Sequence, residues 1–407
     1  MKSEFSQHLD RFYRKPGGIS SGGRASLGFE RFGGREHATP AGPALELTRH
    51  YAWCDVPARA SFQRIADQGW LPAQIDARHG DRVAPERVTF VDIETTGLSI
   101  GAGTVAFLIG TLSLDPDGLL LRQFLLRDFS EECAQQLALA AAMAPSELVV
   151  TYNGGRFDLP ILRSRAILNR VEAPWLAHAH LDVLHPVRAI WRNLWPDCRL
   201  PTAENRLLGV VRHVDCEGWE VPLRYRQFLL EQSEEPLIEV LEHNAQDLIS
   251  LAGVTAVVQH LFDPDRGDFG LTQAELFGLA RALTARGRDL EALKALKQGR
   301  SMGRLSPDYM RAMRLYSRLL KRHGEWSSAV EVWREVGASG EPWDRFWAYL
   351  EQAKAAEHRS RDFDGAAGAA RKAETALNIL PSAPAIQRLR GQLRHRLERL
   401  EKRQNPG

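Results

Sequence analysis

Between Arg87 and Leu126 the chain carries three strand-like runs in close succession, and few folds accept that arrangement. RVTFVDIET, GTVAFLIGTLSLD and GLLLRQFLL are dominated by apolar residues, and Asp115-Pro116-Asp117-Gly118 marks a tight turn between the last two. Links this short pair neighbouring strands antiparallel, so a meander is expected. SEECAQQLALAAAMA then has helical composition, with Ser130 as the expected N-cap and Glu131 and Glu132 in the first turn. ELVVTYN reads as a buried strand, FDLPILRSRAIL as a helix after a Gly-Gly turn, HLDVLHPV as a short strand-like run, and Pro236 to Leu261 as a long helix. Strands followed by alternating helix and strand predict an α/β layer fold on a mixed sheet, an antiparallel meander joined by parallel strands.

A length of 407 residues exceeds one ordinary core, so more than one folded domain is expected. Residues 1–44 are rich in Gly and Arg without a sustained period and read as a flexible lead-in. Residues 45–84 carry no assignable pattern and stand as an extension of the α/β domain, which is set at 85–262. Beyond residue 270 strand patterns stop, and residues 271–400 read as helical repeats. GRDLEALKAL, GEWSSAVEVW and RDFDGAAGAA place Ala292, Ala329 and Ala366 37 residues apart each time. Each looks like the second helix of a hairpin, and a recurrence of that length is the mark of a helical array close in period to tetratricopeptide repeats. The chain closes on RLRGQLRHRLERLEKRQ, a basic amphipathic helix.

Composition narrows the setting. The longest apolar stretch, Leu137 to Ala144, is far short of the ~20 residues a membrane span needs, and MKSEFSQHLDRFYRK lacks the apolar segment of a secretory signal. Four scattered cysteines, Cys54, Cys133, Cys198 and Cys216, argue against a disulfide framework or zinc site. A cytoplasmic protein without membrane attachment is expected. The net charge of +2 hides an asymmetry: residues 85–262 hold 14 Lys/Arg against 23 Asp/Glu, residues 281–407 hold 26 against 15. A basic half attracts polyanions, although solvated helix faces give the same count.

The chemistry centres on carboxylates. In Phe90-Val91-Asp92-Ile93-Glu94-Thr95 side chains alternate, so Asp92 and Glu94 share one face of an apolar strand while Val91 and Ile93 face the core. Two carboxylates placed so are costly unless neutralised, and a hard divalent ion, Mg²⁺ or Mn²⁺, does that with oxygen ligands. Asp158 follows Asn153-Gly154-Gly155-Arg156-Phe157 where strand, glycine turn and helix meet. His243 and Asp247 stand four apart on the late helix, hence on one face, with Asn244 beside them. Each has a plainer reading: a solvated strand end, a helix N-cap, an exposed polar pair. Phe157 is either a stacking residue or, the favoured reading, a core aromatic. Arg163 meets a phosphate or pairs with a neighbour.

Taken together, the order and spacing of these motifs resemble the DEDD exonuclease superfamily, whose fold is ribonuclease H-like. There an Asp-x-Glu strand, an Asn-x-x-x-Phe-Asp turn and a helical Asp supply four metal-binding carboxylates, matched here by Asp92 and Glu94, Asn153 with Asp158, and Asp247. The family's general base is a Tyr or a His before the last Asp; here the Tyr-type spacing is filled by His243. His180-Leu181-Asp182-Val183-Leu184-His185-Pro186, then Cys198-Arg199-Leu200 with Glu204, then Ile238 through Leu251 look like the YprB-type bacterial ribonuclease H-like proteins. The resemblance covers about residues 86–262, and a tetratricopeptide-like tail also occurs in that group. It implies 3′→5′ hydrolysis of nucleic acid by two divalent ions held by Asp92, Glu94, Asp158 and Asp247. Asp92 would bridge the ions, His243 would act as base, Asn153, Gly154, Thr95, Phe157 and Arg163 would line the strand's end, and Asp182 and Asn244 would stand behind the ligands. A catalytically inactive binder and a scaffold working through its helical repeats are the rival readings. Such repeats more often dock protein segments, so a protein partner is favoured there over nucleic acid.

Overall fold

The computed structural model describes residues 29–53, 82–97, 103–212, 218–263 and 269–404, with Cys216 and scattered positions between 56 and 80. The Gly/Arg-rich stretch expected to be flexible lies, through residue 28, outside the described residues. Two compact units emerge. The first draws its described residues from Met1–Trp70, Val83–Asp182 and Glu204–Val254, the second from Leu71–Arg82, Val183–Ala203 and Thr255–Gly407.

The first unit is built on a seven-stranded mixed sheet. Its elements are β1 (Gly34–Thr39), β2 (Gly42–Ala52), β3 (Val88–Thr95), β4 (Ala106–Asp115), β5 (Gly118–Leu125), α1 (Glu132–Met143), β6 (Leu148–Thr151), α2 (Asp158–Leu168) and β7 (Ala179–Asp182). The order across the sheet is β1-β2-β5-β4-β3-β6-β7, antiparallel from β1 to β3 and parallel from β3 to β7. The expected meander is therefore its centre, and β4 is buried along nearly all its length, as its unbroken apolar run requires. One face packs Val91, Ile109 and Phe124 against Leu139 and Met143 of α1 and Leu162 of α2.

Three local expectations are corrected. Residues 34–52, read as lead-in and extension, form the hairpin β1-β2 that extends the sheet along β5. Only Ala44 to Leu47 of that hairpin are buried, and β1 is polar and exposed at its centre, so no apolar alternation marks it. Ser130 is not a cap: Asp128 caps a short 3₁₀ turn, Phe129–Glu131, by accepting from the Ser130 amide at 2.8 Å, and α1 follows. HLDVLHPV is a strand only to Asp182, where pairing with Thr151 ends. Leu184–Trp191 is a helix, α3, and its buried Leu184, Val187, Ile190 and Trp191 recur at helical spacing.

Then come α4 (Leu200–Leu208), α5 (Val221–Glu231) and the long α6 (Ile238–Phe262). Gly110 of β4 lets α6 approach the sheet: a Cβ there would lie 2.2 Å from Asn244 Oδ1 and 2.5 Å from Leu248 Cδ1. This contact positions the site.

The second unit continues through α7 (Gln273–Ala285), α8 (Asp289–Ser301), α9 (Tyr309–Arg322), α10 (Trp326–Ser339), α11 (Pro342–Ala355), α12 (Phe363–Asn378) and α13 (Pro384–Gln404). The first residues of α8, α10 and α12 repeat at the same 37-residue interval as Ala292, Ala329 and Ala366, all three fully buried. Small residues there let successive helices close in. Among the described residues no helix is long and apolar enough to cross a membrane. α13 is fastened by charge: the fully buried carboxylate of Glu357 is held by Arg396 and, at 2.7 Å, by Arg399. Removing one partner of a buried ion cluster strands the others. Glu357→Ala should therefore destabilise this end by about 3–5 kcal/mol, read as early proteolytic release of α13 and a lower first melting midpoint. Wild-type proteolysis would overturn that account.

Candidate active site

Asp92 and Glu94 lie on β3 with side chains partly exposed, while Val91 and Ile93, which alternate with them, are buried, as strand alternation demands. Asp92 stands directly across from Gly110 on β4, under the close approach of α6. Asn244, wholly buried, donates to Asp92 Oδ2 at 2.9 Å. Gln123 of β5 in turn donates to Asn244 Oδ1 at 2.9 Å and to the Leu241 carbonyl at 2.9 Å, while its own oxygen accepts from Arg49 at 3.2 Å. The chain Arg49–Gln123–Asn244–Asp92 thus fixes both amides and holds the carboxylate in one orientation.

Three and four residues along α6 from Asn244 and His243 comes Asp247. His243 Nε2 sits 3.7 Å from Glu94 Oε1 and 3.7 Å from Asp247 Oδ2, between strand and helix carboxylates. Asp158 arrives by a different route. After β6 the chain passes through Asn153 at φ 67°, a left-handed conformation that asparagine tolerates, and through Gly154. A Cβ on Gly154 would lie 2.5 Å from Asp158 Oδ2, so the glycine makes room for the carboxylate to fold back. Asp182 at the end of β7 ties this turn down, accepting from the Asn153 amide at 2.8 Å and the Gly155 amide at 3.4 Å.

The charges gather at one place. Burial, then Asp247 and Asp158, push the Asp92 carboxyl well above its ordinary range. Burial, then Asp182 and Asp247, raise Asp158 to about 7. Arg212 offsets part of this negative charge. It donates from Nε to Glu204 at 2.9 Å and from Nη2 to both Glu204 and Asp247. Glu204, almost fully buried, is completed by Gln246 at 3.0 Å. Burial opposes the Arg212 charge, but Asp247 and Glu204 outweigh it and hold the group firmly protonated.

Among the described residues no three His, Cys, Asp or Glu side chains are already drawn close enough to grip an ion. Arg212 pairs with Asp247, while Asp92 and Asp158 each lie in the field of other carboxylates. The donor set nonetheless fits hard divalent ions, being oxygen-rich, partly desolvated and short of positive charge.

The structure brings Asp92, Glu94, Asp158, His243 and Asp247 into one group of interacting charges, with the turn at Asn153 and Gly154 beside Asp158. Asp182 and Asn244 serve as hydrogen-bonding supports. Thr95 turns to the Gly97 carbonyl at 2.7 Å. Arg163 is spent on the Leu176 carbonyl at 3.0 Å. Phe157, favoured as a core aromatic, is instead 44% exposed, because α2 begins immediately after it and points it outward. Sequence reasoning missed Arg212, Gln123 and Gly110; none belongs to a motif, and their roles arise from long-range packing.

Comparison with known proteins agrees with this architecture. Residues 89–259 match the RNase_H superfamily model. Residues 89–259 form a domain of the ribonuclease H superfamily. The chain is 30% identical over 280 residues to the uncharacterized protein YprB of Bacillus subtilis strain 168, a match spanning 67% of this chain and 66% of that protein. A family B DNA polymerase from Pyrobaculum calidifontis is similar at 15% identity and a TM-score of 0.37, over 54% of this chain and 30% of the polymerase. Superfamily membership supports a nuclease-type function, and such nucleases generally use divalent metals.

Two outcomes follow for the metal-free protein. A carboxyl raised in the folded state binds its proton more tightly there. Its contribution to stability is present below the ordinary value and lost as pH rises through the folded one. Asp158 therefore makes stability fall between about pH 4 and pH 7. Urea midpoints in chelator should show that decline, and Asp158→Asn should flatten it; an equal decline in the variant would count against the assignment. Arg212→Gln should lower the metal-free stability by about 3 kcal/mol for a broken buried pair, yet enlarge the rise in melting temperature on adding Mn²⁺. A smaller Mn²⁺ response would mean that the arginine helps rather than opposes cation binding.

Proposed function

We propose that the protein is a metal-dependent 3′→5′ exonuclease that hydrolyses phosphodiester bonds. The observation carrying this reading is the convergence of Asp92 and Glu94 from β3, Asp158 from the start of α2 and Asp247 from α6 on one place with a deficit of positive charge. The polarity of digestion is taken from the family resemblance.

The four carboxylates would hold two divalent ions, Mg²⁺ or Mn²⁺, which when bound make water a nucleophile at neutral pH and neutralise charge on the leaving oxygen. His243, placed between Glu94 and Asp247, accepts the proton of the attacking water. The bond from phosphorus to the 3′-oxygen breaks, releasing a nucleoside 5′-phosphate and a strand shorter by one. Asn244 keeps Asp92 from rotating away, and the left-handed turn at Asn153 presents backbone to the terminal nucleotide while Gly154 leaves room for the Asp158 carboxylate. Phe157, exposed at the start of α2, supplies a ring on which the last base can stack.

One observation favours a second reading, a nucleic-acid binder without turnover: Arg212 lies on Asp247. The two are separated with end-labelled single-stranded DNA and RNA in the presence of Mn²⁺. Stepwise shortening is expected, abolished by chelator and by Asp92→Asn, and slowed by roughly 10²–10⁴ in His243→Ala. Retention of the label on the protein without shortening would select the binder. Wild-type turnover in His243→Ala would remove the histidine from the role of base.

A further inference from the structure

The helical unit contains a cavity of about 320 Å³ between α7, α9 and the segment following α3. Four arginines line it: Arg281 from α7, and Arg311, Arg314 and Arg318 from α9. The α9 residues stand at i, i+3 and i+7, so they share one helix face, and Ala274, Phe277 and Arg281 repeat that spacing on α7. Phe277 and Leu315 supply part of an apolar floor between them.

Partner accounting separates these arginines. Arg314 is ion-paired with Asp344 and lies 5.6 Å from the Trp347 ring. Arg311 meets Asp308 at 3.1 Å in an exposed pair, an arrangement that contributes little and exchanges readily with a ligand. Among the described residues, Arg281 and Arg318 have no hydrogen bond, ion pair or ring contact. Guanidinium groups left facing a common cavity repel one another, and an anion relieves that cost.

The chemistry of the wall decides which anion. Apart from the already paired Asp308, every polar side chain lining the cavity is an arginine, which donates and cannot accept. An extended peptide would bring backbone N–H groups that find no acceptor there, at a cost of about 1–3 kcal/mol for each one buried. A phosphodiester backbone presents acceptors only, which planar guanidinium forks match, and its sugars and bases suit the apolar floor. We propose that this cavity is a phosphate-backbone site for a single strand of nucleic acid. That the strand is also the substrate rests on the nuclease reading above; the binding does not. This departs from the protein partner favoured for the repeats on their general habits.

The test uses the full chain in chelator, so that no strand is cut, with fluorescein-labelled oligo-dT of twenty nucleotides followed by anisotropy. Arg281→Ala/Arg318→Ala should weaken binding roughly tenfold or more. Loss of two phosphate contacts should make the slope of log K against log salt shallower by about 1.4. Arg281→Lys/Arg318→Lys, which keeps the charge, should retain the wild-type slope and so separates loss of charge from loss of fold. With Mn²⁺ added, hydrolysis of the p-nitrophenyl ester of thymidine 5′-phosphate, too short to use a strand-holding site, should be equal in wild type and variants. If wild type hydrolyses neither oligonucleotide nor ester, the nuclease reading fails, while the binding arm still judges the cavity. Unchanged affinity and slope in the alanine variant would overturn the proposal. So would an oligoglutamate peptide binding more tightly than oligo-dT in a manner that the alanine pair abolishes.

Discussion

The grouping of the carboxylates depends on how closely a helix can lie on the sheet, and at Gly110 a missing side chain makes room for that approach. Gly110 faces Asp92 across β3 and β4, and Asn244 and Leu248 of α6 fill the space its Cβ would take. Given that approach, Asn244 reaches Asp92, while His243 one residue before it meets Glu94 and Asp247. A side chain at residue 110 would press on the Asn244 amide and on Leu248, and so disturb the group that holds Asp92. A packing constraint therefore sets the chemistry, because strand carboxylates and helix carboxylates can meet only where the backbones can.

Bringing acids together creates a second constraint, which the surrounding polar groups answer in different ways. Asn244 offers a donor to Asp92 and is itself fixed through Gln123 by Arg49, so the amide orientation is not free. Asp182 spends its oxygens on the amides of Asn153 and Gly155, which makes it an anchor for the turn that aims Asp158. Arg212 supplies charge to Asp247 while resting on a buried glutamate completed by Gln246. These supports orient the carboxylates without cancelling their charge, as the raised Asp92 and Asp158 carboxyls attest. The oxygen-rich set that results keeps an excess of negative charge.

Much of this was legible in the sequence, for identifiable reasons. Local pattern marked the meander, because β3, β4 and β5 are apolar and follow one another directly along the chain. Fixed spacing marked Asp92 with Glu94, and His243 with Asp247, since two- and four-residue steps have definite meanings on strands and helices. What escaped was non-local. The hairpin Gly34–Ala52 pairs with β5 through its backbone while showing few buried side chains, so its pattern is silent. Arg212 lies between α4 and α5 in a stretch without period, and its partners are 8 and 35 residues away. The α3 segment misled because eight residues with alternating apolar character satisfy a strand and a helix template almost equally.

The helical unit shows why a count of charges cannot by itself locate a ligand. Its excess of Lys and Arg is spread over most of its helices, yet the arginines do different work. On α13, Arg396 and Arg399 converge on buried Glu357, and their charge is consumed in fastening the helix. On α8, Arg300 is taken up by Glu335 at 2.9 Å. The second helices of the array carry the buried alanines and close the packing. The arginine faces of α7 and α9 instead turn to a common cavity, where some guanidinium groups meet no acid. A wall whose polar groups, apart from the paired Asp308, are all donors complements a ligand made of acceptors, which is the physical basis of the proposed phosphate-backbone site.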